Sequence, residues 1–309
     1  MKAELEKKEA VMKKILITGA NSYIGLSFEN WAKKYYSKEL VVDTVDMVDG
    51  SWKEKSFSAY DVIFHVAGLA HADVGKVSEG RKDFYYKINR DLAVETAVKS
   101  KNEGVHQFIF MSSLIIYGPS AGVGKRKVIT RDTEPNPENY YGDSKWQADQ
   151  GVRQLSDEYF RVAVLRAPMI YGKGSKGNYP LLARIAKITP IFPDVINERS
   201  MIHIDNLCEF LCLLILSGKS GIFFPQNEKF VQTSVLVKEV ANVAGHNMLL
   251  TKLLNPFVWL AGRIPGKISA LVNKAFGSIV YDLEISEDFA GKYRVRDFKE
   301  SIIQTEGKC

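Results

Sequence analysis

Residues 15–25 read I-L-I-T-G-A-N-S-Y-I-G, and the change of texture at Gly19 decides the fold. A run suited to a buried strand ends at Thr18, a tight turn follows through Gly19 and Ser22, and Gly25 lies where a helix begins. Free backbone N–H groups and the helix dipole at such an N-terminus favour a pyrophosphate. Glycine serves there because a Cβ blocks close approach of the phosphates. Ser22 holds the middle position in place of glycine; it is small, and its hydroxyl is able to donate to a phosphate. A glycine-rich turn alone also fits a purely structural bend, so the rest of the chain has to carry the reading.

Outward from this turn, short apolar runs alternate with longer amphipathic segments, the pattern of βαβ units and a parallel sheet. Strands are expected at 15–18, 41–46, 62–67, 107–112 and 161–166, and helices at 24–34, 89–102 and 144–159. Each strand is nearly continuous in apolar residues, as strands covered on both faces require. The fold class is therefore α/β, a Rossmann-type doubly wound parallel sheet with a smaller C-terminal substrate lobe. After Tyr171 the chain turns to G-K-G-S-K-G-N-Y-P, read as a mobile loop, and its elements become shorter. Residues 201–204 and 222–224 still read as strands that return to the sheet, so the two units interleave. We assign 12–170 to an NAD-binding domain rejoined by 201–230, and 171–200 with 231–309 to the substrate lobe.

The chain has 309 residues, 46% of them hydrophobic and 25% charged, which describes a soluble globular protein rather than a disordered or fibrous one. Its formal charge of +6 is spread along the chain, and the run Lys125, Arg126, Lys127 reads as a solvated loop. No nucleic-acid partner is expected, while a mildly basic surface suits an anionic substrate. Three cysteines provide no disulfide framework, and Cys208 and Cys212 read as buried small hydrophobes in a reducing cytoplasm. The first 14 residues are a frayed Lys/Glu-rich tail without a signal-peptide core, and Met12 is an alternative start. No integral membrane segment is expected: 207–216 is short and carries Glu209, and 249–272 is interrupted by Pro256, Arg263, Pro265 and Lys267. The apolar stretch 253–276 includes Ile268, Leu271, Val272, Ala275 and Phe276 at helical spacing. It reads as core helices of the substrate lobe in preference to a membrane-surface segment.

Three further positions carry chemistry. Asp46, at the end of the second strand, is placed to accept hydrogen bonds from ribose hydroxyls and so favours NAD over NADP; Asp43 is the alternative if the strand ends earlier. Tyr141 and Lys145 are four residues apart, so on a helix they share a face, and a nearby ammonium lowers the pKa of a phenol towards that of a working acid/base. Ser113 ends a strand, beyond which ligands of parallel sheets bind, and its hydroxyl suits the same substrate oxygen that Tyr141 protonates.

T-G-A-N-S-Y-I-G at 18–25, H-V-A-G at 65–68, Asn89 at a helix start, S-S-L-I-I-Y-G at 112–118 and Y-G-D-S-K at 141–145 occur in order. R-A-P-M-I-Y-G at 166–172 and R-S-M-I-H-I-D-N-L at 199–207 complete the series. Together they resemble the motif set of extended short-chain dehydrogenase/reductases. Within that group the chain is most similar to the NAD-dependent epimerase/dehydratase branch acting on nucleotide sugars, strongly over residues 14–210. The resemblance implies that Gly19, Ser22, Tyr23, Ile24 and Gly25 hold the pyrophosphate of NAD and Asp46 its adenosine ribose. Ala67, Gly68, Asn89 and Pro168 would line the cofactor, and Lys145 would bind the nicotinamide ribose. Tyr141 would remove the proton of the sugar 4-hydroxyl, Ser113 would orient the 4-oxygen, and Asn178 and Arg199 would hold the substrate diphosphate.

The implied activity is 4-epimerisation of a UDP-hexose or UDP-N-acetylhexosamine through a 4-keto intermediate, by a cytoplasmic homodimer joined through the Tyr141 helix. Two alternatives use the same residues: an NAD(P)H-dependent reductase of a 4-keto-6-deoxy nucleotide sugar, and a non-catalytic NAD-binding regulator. A 4,6-dehydratase is disfavoured, because Leu114 and Ile115 follow Ser113 where that group carries an acidic pair.

Overall fold

The computed structural model describes residues 12–69 and 79–307. The Lys/Glu-rich tail lies outside the described residues up to position 11, and its last two members, Lys13 and Lys14, already belong to a strand. In chain order the first half runs β1 (Lys13–Thr18), α1 (Tyr23–Tyr35), β2 (Leu40–Val45), β3 (Val62–His65), α2 (Glu79–Tyr86) and α3 (Leu92–Asn102). It continues with β4 (Gln107–Ser113), β5 (Arg126–Ile129), α4 (Tyr140–Arg153), β6 (Arg161–Ala167) and β7 (Met169–Tyr171).

The second half comprises α5 (Asn178–Ile188), β8 (Ile191–Pro193), β9 (Met201–His203), α6 (Ile204–Ser217), β10 (Gly221–Phe223) and α7 (Thr233–Val243). Then follow β11 (Leu249–Thr251), α8 (Asn255–Ala261), α9 (Lys267–Phe276), β12 (Ser278–Tyr281) and α10 (Phe298–Glu306).

Six strands form one parallel sheet in the order β10-β6-β4-β3-β1-β2. Successive side chains of a strand point to opposite faces, and the two cores follow that period. Ile15 and Ile17 of β1, with Phe64, Ile109 and Leu165, pack under α1 and α6. Leu16, Ile63, Phe108, Phe110 and Val164 pack on the other face under α3 and α4. Both faces are covered, which is why the strands read as unbroken apolar runs. Each fully buried side chain of this size contributes about 1.5–3 kcal/mol.

The chain leaves β1 for the edge strand β2 and then crosses back to β3. The β1/β3 boundary is therefore the switch point, where a crevice opens beyond the carboxyl ends. Of the two late strands expected to rejoin the sheet, β10 does so beside β6, whereas β9 pairs with β7 in a separate ribbon. The remaining elements gather round a second core of Tyr179, Phe192, Val237, Met248 and Ile302 from α5, α7, α10 and their connections.

Three expectations need correction. The helix expected at 144–159 begins at Tyr140, because Asn139 caps it by accepting the Gly142 N–H at 2.8 Å, and it ends at Arg153. Asn89 lies inside a continuous helix rather than at a start: a π turn over Lys87–Asp91 joins α2 to α3. The stretch 253–276 is core on one side only: Phe276 is buried and Val258, Val272 and Ala275 pack against the core of the second half, whereas α8 buries no residue fully. Its periodicity is that of an amphipathic helix pair whose outer face is left open.

Candidate active site

A cleft of ≈2380 Å³ runs across the carboxyl ends of the sheet strands and collects residues from both halves of the chain. Its first wall is the turn after β1. Gly19 has φ +116°, and a Cβ there would fall 2.8 Å from the Ala67 nitrogen, so only glycine lets the β1 and β3 turns touch. Asn21 follows at φ 63°, a conformation that asparagine tolerates. The Ser22 hydroxyl caps α1 by accepting the Gly25 N–H at 3.1 Å, which leaves the hydroxyl proton available. Tyr23 and Ile24 line the cleft, and their N–H groups have no backbone acceptor among the described residues. The first turn of α1 carries no acidic residue. Donors without a carboxylate at a helix N-terminus fit a pyrophosphate.

Asp46 lines this end of the cleft, its Oδ1 accepting the Val48 N–H at 2.8 Å. Asp43 instead accepts a hydrogen bond from the Tyr60 hydroxyl at 2.9 Å and does not line the cleft, a placement that favours Asp46. Opposite, Ala67 and Gly68 leave β3 with the Ala67 N–H bonded to Thr18 O at 2.9 Å. A Cβ on Gly68 would meet both Asn89 Oδ1 and Lys145 Nζ at 3.0 Å. The π turn aims the buried Asn89 at this loop. Its Oδ1 accepts the Leu69 N–H at 2.8 Å, and its Nδ2 donates to Leu69 O at 3.2 Å and to Ser144 Oγ at 3.1 Å. Asn89 thus ties the β3 loop to the helix bearing Tyr141, a positioning task beyond the lining role the resemblance implies.

Ser113 and Tyr141 come together as the sequence suggested. The Ser113 hydroxyl bonds the phenol and favours its ionisation, yet burial dominates and, with Tyr85 adding to it, raises the Tyr141 pKa above its ordinary value. Lys145 does not supply the expected depression. Its ammonium donates to Met111 O at 3.0 Å, lies over the Phe110 ring, and is itself pushed down to about 8 by burial. Neighbouring His65 is held neutral, with a pKa near 3, by burial and then by the Lys145 charge; its Nδ1 lies 2.8 Å from Thr18 Oγ1. Beneath them Asp149, fully buried, accepts from Arg166 Nε at 2.9 Å, Arg166 Nη2 at 3.1 Å and Arg153 Nε at 2.7 Å. That cluster fixes α4 to the end of β6, next to Pro168, which lines the cleft.

The far wall comes from the second half of the chain. Asn178 opens α5 and faces the cleft, while the G-K-G-S-K-G loop before it is folded in: Ser175 is buried and its N–H bonds Gly172 O at 3.0 Å. Arg199 sits in a bridge between Val231 and Ile279. Its Nη1 donates to Lys274 O, its Nε is buried without a partner, and no carboxylate pairs with it among the described residues. Burial lowers its pKa to about 10. Sequence reasoning missed the contribution of α9, whose Ala270, Asn273 and Lys274 also line the cleft. Among the described residues no cluster of side chains suits a metal ion, and no helix is long and apolar enough to cross a membrane.

The family model described as NAD dependent epimerase/dehydratase matches residues 15–224, more than half of the chain. The chain belongs to that family. NAD is its cofactor, and the open N-terminus of α1, the glycine contact at Ala67 and the free Asp46 oxygen fit that molecule. A UDP-glucose 4-epimerase of Vibrio cholerae is 27% identical over 318 residues, covering 95% of this chain and 94% of its own. An N-acetyl-α-D-glucosaminyl-diphospho-ditrans,octacis-undecaprenol 4-epimerase of Escherichia coli O157:H7 is 25% identical over 85% of this chain and 82% of its own. Among solved structures, a dTDP-4-dehydrorhamnose reductase of Clostridium acetobutylicum superposes with a TM-score of 0.71 at 19% identity, over 94% of this chain and 98% of that one. That likeness is one of fold.

Proposed function

We propose that this family member is a 4-epimerase of nucleotide-diphosphate sugars, UDP-hexoses or UDP-N-acetylhexosamines, working through a 4-keto intermediate. One observation carries the reading: the Ser113–Tyr141 hydroxyl pair stands in the same cleft as Arg199, a desolvated cation with no carboxylate partner. A hydroxyl pair at one end and an unpaired guanidinium at the other match a sugar alcohol attached to a diphosphate. Both full-length relatives named above are 4-epimerases, which supports the same activity.

When bound, NAD supplies the acceptor and then the donor of the C4 hydride. Tyr141 accepts the proton of the 4-hydroxyl as the C4–H bond breaks, and Ser113 holds the same oxygen in line. Lys145, buried one helical turn beyond Tyr141 and resting on Met111 O, would turn to the phenolate and stabilise the negative charge that Tyr141 carries before proton transfer. Arg199 and Asn178 keep the diphosphate while the ketose turns over in the cleft. Tyr141 returns its proton to O4 as C4 is reduced on the opposite face. Leu114 and Ile115, directly after Ser113, provide no acid for elimination of water.

The division of labour belongs to the same proposal, with residues 12–170 and 201–230 serving NAD and residues 171–200 and 231–309 serving the sugar. So do a cytoplasmic location and a homodimer. The test is to denature the purified protein, identify any released nucleotide, and incubate native enzyme with UDP-sugars with and without added NADH or NADPH. Retained NAD and interconversion of C4 epimers without net cofactor consumption are expected. Stoichiometric NAD(P)H oxidation confined to a 4-keto sugar overturns the epimerase in favour of a reductase.

A further inference from the structure

The turn Lys252–Leu254, α8 and α9 leave one apolar face in solvent, while Val258, Val272, Ala275 and Phe276 on the other side pack on the core. Leu253 is 83% exposed, Phe257 69%, Leu260 61%, Ile268 66% and Leu271 58%, and they fall within 19 residues on elements that contact one another. Contiguous exposed apolar surface of this kind marks an interaction site. Trp259 is partly exposed on the same face, its ring lying over Gly124, where an added Cβ would meet it at 3.1 Å. Through that contact the face reaches Lys125, part of the basic run that the active site does not use.

The charges on this face have one sign. Lys125, Lys252, Arg263 and Lys267 are all exposed, and none pairs with a carboxylate among the described residues. Between Glu239 and Asp282 the chain contains no acidic residue. A second copy of the chain docked here by two-fold symmetry would set these cations against themselves, which opposes self-association. An anionic lipid surface meets both properties, taking the apolar side chains below the headgroups and the cations among the phosphates.

We propose that α8 and α9 dock this protein on an anionic bilayer. α9 serves two compartments: Ala270, Asn273 and Lys274 line the cleft, while Ile268 and Leu271 face outward to the lipid. Docking therefore holds the cleft mouth at headgroup depth, with Trp259 at the interface where indole rings prefer to lie.

The experiment is co-sedimentation of the full chain with vesicles of phosphatidylcholine containing about 30% phosphatidylglycerol, and with phosphatidylcholine alone. The wild type is expected to sediment with the anionic vesicles and to show a blue shift of tryptophan emission. Phe257→Ser/Leu260→Ser and Arg263→Gln/Lys267→Gln are each expected to weaken binding roughly tenfold or more, with unchanged circular dichroism. Absence of wild-type binding overturns the proposal. So does binding that survives both double variants, or a stable dimer in solution that Phe257→Ser/Leu260→Ser dissociates.

Discussion

Replacing Arg199 by methionine separates binding from folding. The guanidinium has no carboxylate partner, and burial lowers its pKa from 12.5 to about 10, so the cation is disfavoured in the folded protein. That shift corresponds to about 3 kcal/mol of folding free energy forgone at neutral pH. Losing the Nη1 bond to Lys274 O returns about 1.5–3 kcal/mol in the opposite direction. The backbone bridge to Val231 does not involve the side chain. Arg199→Met is therefore expected to melt no lower than wild type. A hydrogen bond from a charged group to a diphosphate contributes about 1.5–3 kcal/mol net, so the Kd for UDP should rise roughly ten- to 150-fold. Calorimetric titration of the full chain with UDP and thermal denaturation of the same samples supply the two numbers. A Kd within about threefold of wild type refutes the anion-site reasoning, and a markedly lower melting temperature shows that Arg199 is structural instead.

Tyr141→Phe keeps the ring and is expected to retain NAD while kcat falls roughly 10²- to 10⁴-fold, measured by epimer interconversion. Gly19→Ala forces φ +116° on alanine and sets its Cβ against the Ala67 nitrogen, so protein should be recovered without NAD, read from the nucleotide released on denaturation. Asp149→Asn leaves Arg166 buried without its counter-charge and should cost about 3–5 kcal/mol, seen as a lower urea midpoint at constant slope. Lys145→Met should gain up to about 3 kcal/mol at pH 7, because burial lowers the folded pKa to about 8 from 10.5. Above about pH 8 the folded wild type gives up that proton before the unfolded chain does, so its handicap shrinks as pH rises towards 10.5; urea unfolding at both ends of the window checks the sign.

The sheet was legible because each of its strands obeys one local rule, burial on both faces, and writes it as an apolar run. The turn at Gly19, the strand-end Ser113 and the Tyr141–Lys145 spacing were legible for a similar reason: backbone geometry dictates them over a few residues. The π turn at Asn89 left no such mark, since one hydrogen-bond shift inside a helix asks for no particular residue type. What favours Asp46 over Asp43 is the Tyr60 hydroxyl on Asp43, a tertiary contact that no local sequence pattern reports. The stretch 253–276 shows the limit most clearly. Amphipathic spacing reports that a helix has an apolar face; what covers that face is decided by parts of the fold distant in sequence.

Net charge explains little of the site, because most of the 42 lysine and arginine residues lie among 36 acidic ones. What distinguishes the cleft is the placement of two cations, one buried and one partly buried, without a carboxylate partner among the described residues. Lys145 rests on a carbonyl and Arg199 on another, and burial depresses both pKa values without an acidic partner to restore them. Hydrogen bonds from a cation to a neutral carbonyl contribute about 1.5–3 kcal/mol, and an opposite charge within a few ångströms favours the ionised form by a further one to three pKa units. Each cation is thus better satisfied by an anion arriving in the cleft than by the protein itself. Under the proposed epimerisation that anion would be a diphosphate for Arg199 and the phenolate of Tyr141 for Lys145, whose ammonium otherwise stays on Met111 O. Movement of Lys145 from that carbonyl to the phenolate would exchange a neutral acceptor for a charged one and so stabilise the ionised tyrosine that the proposed chemistry requires.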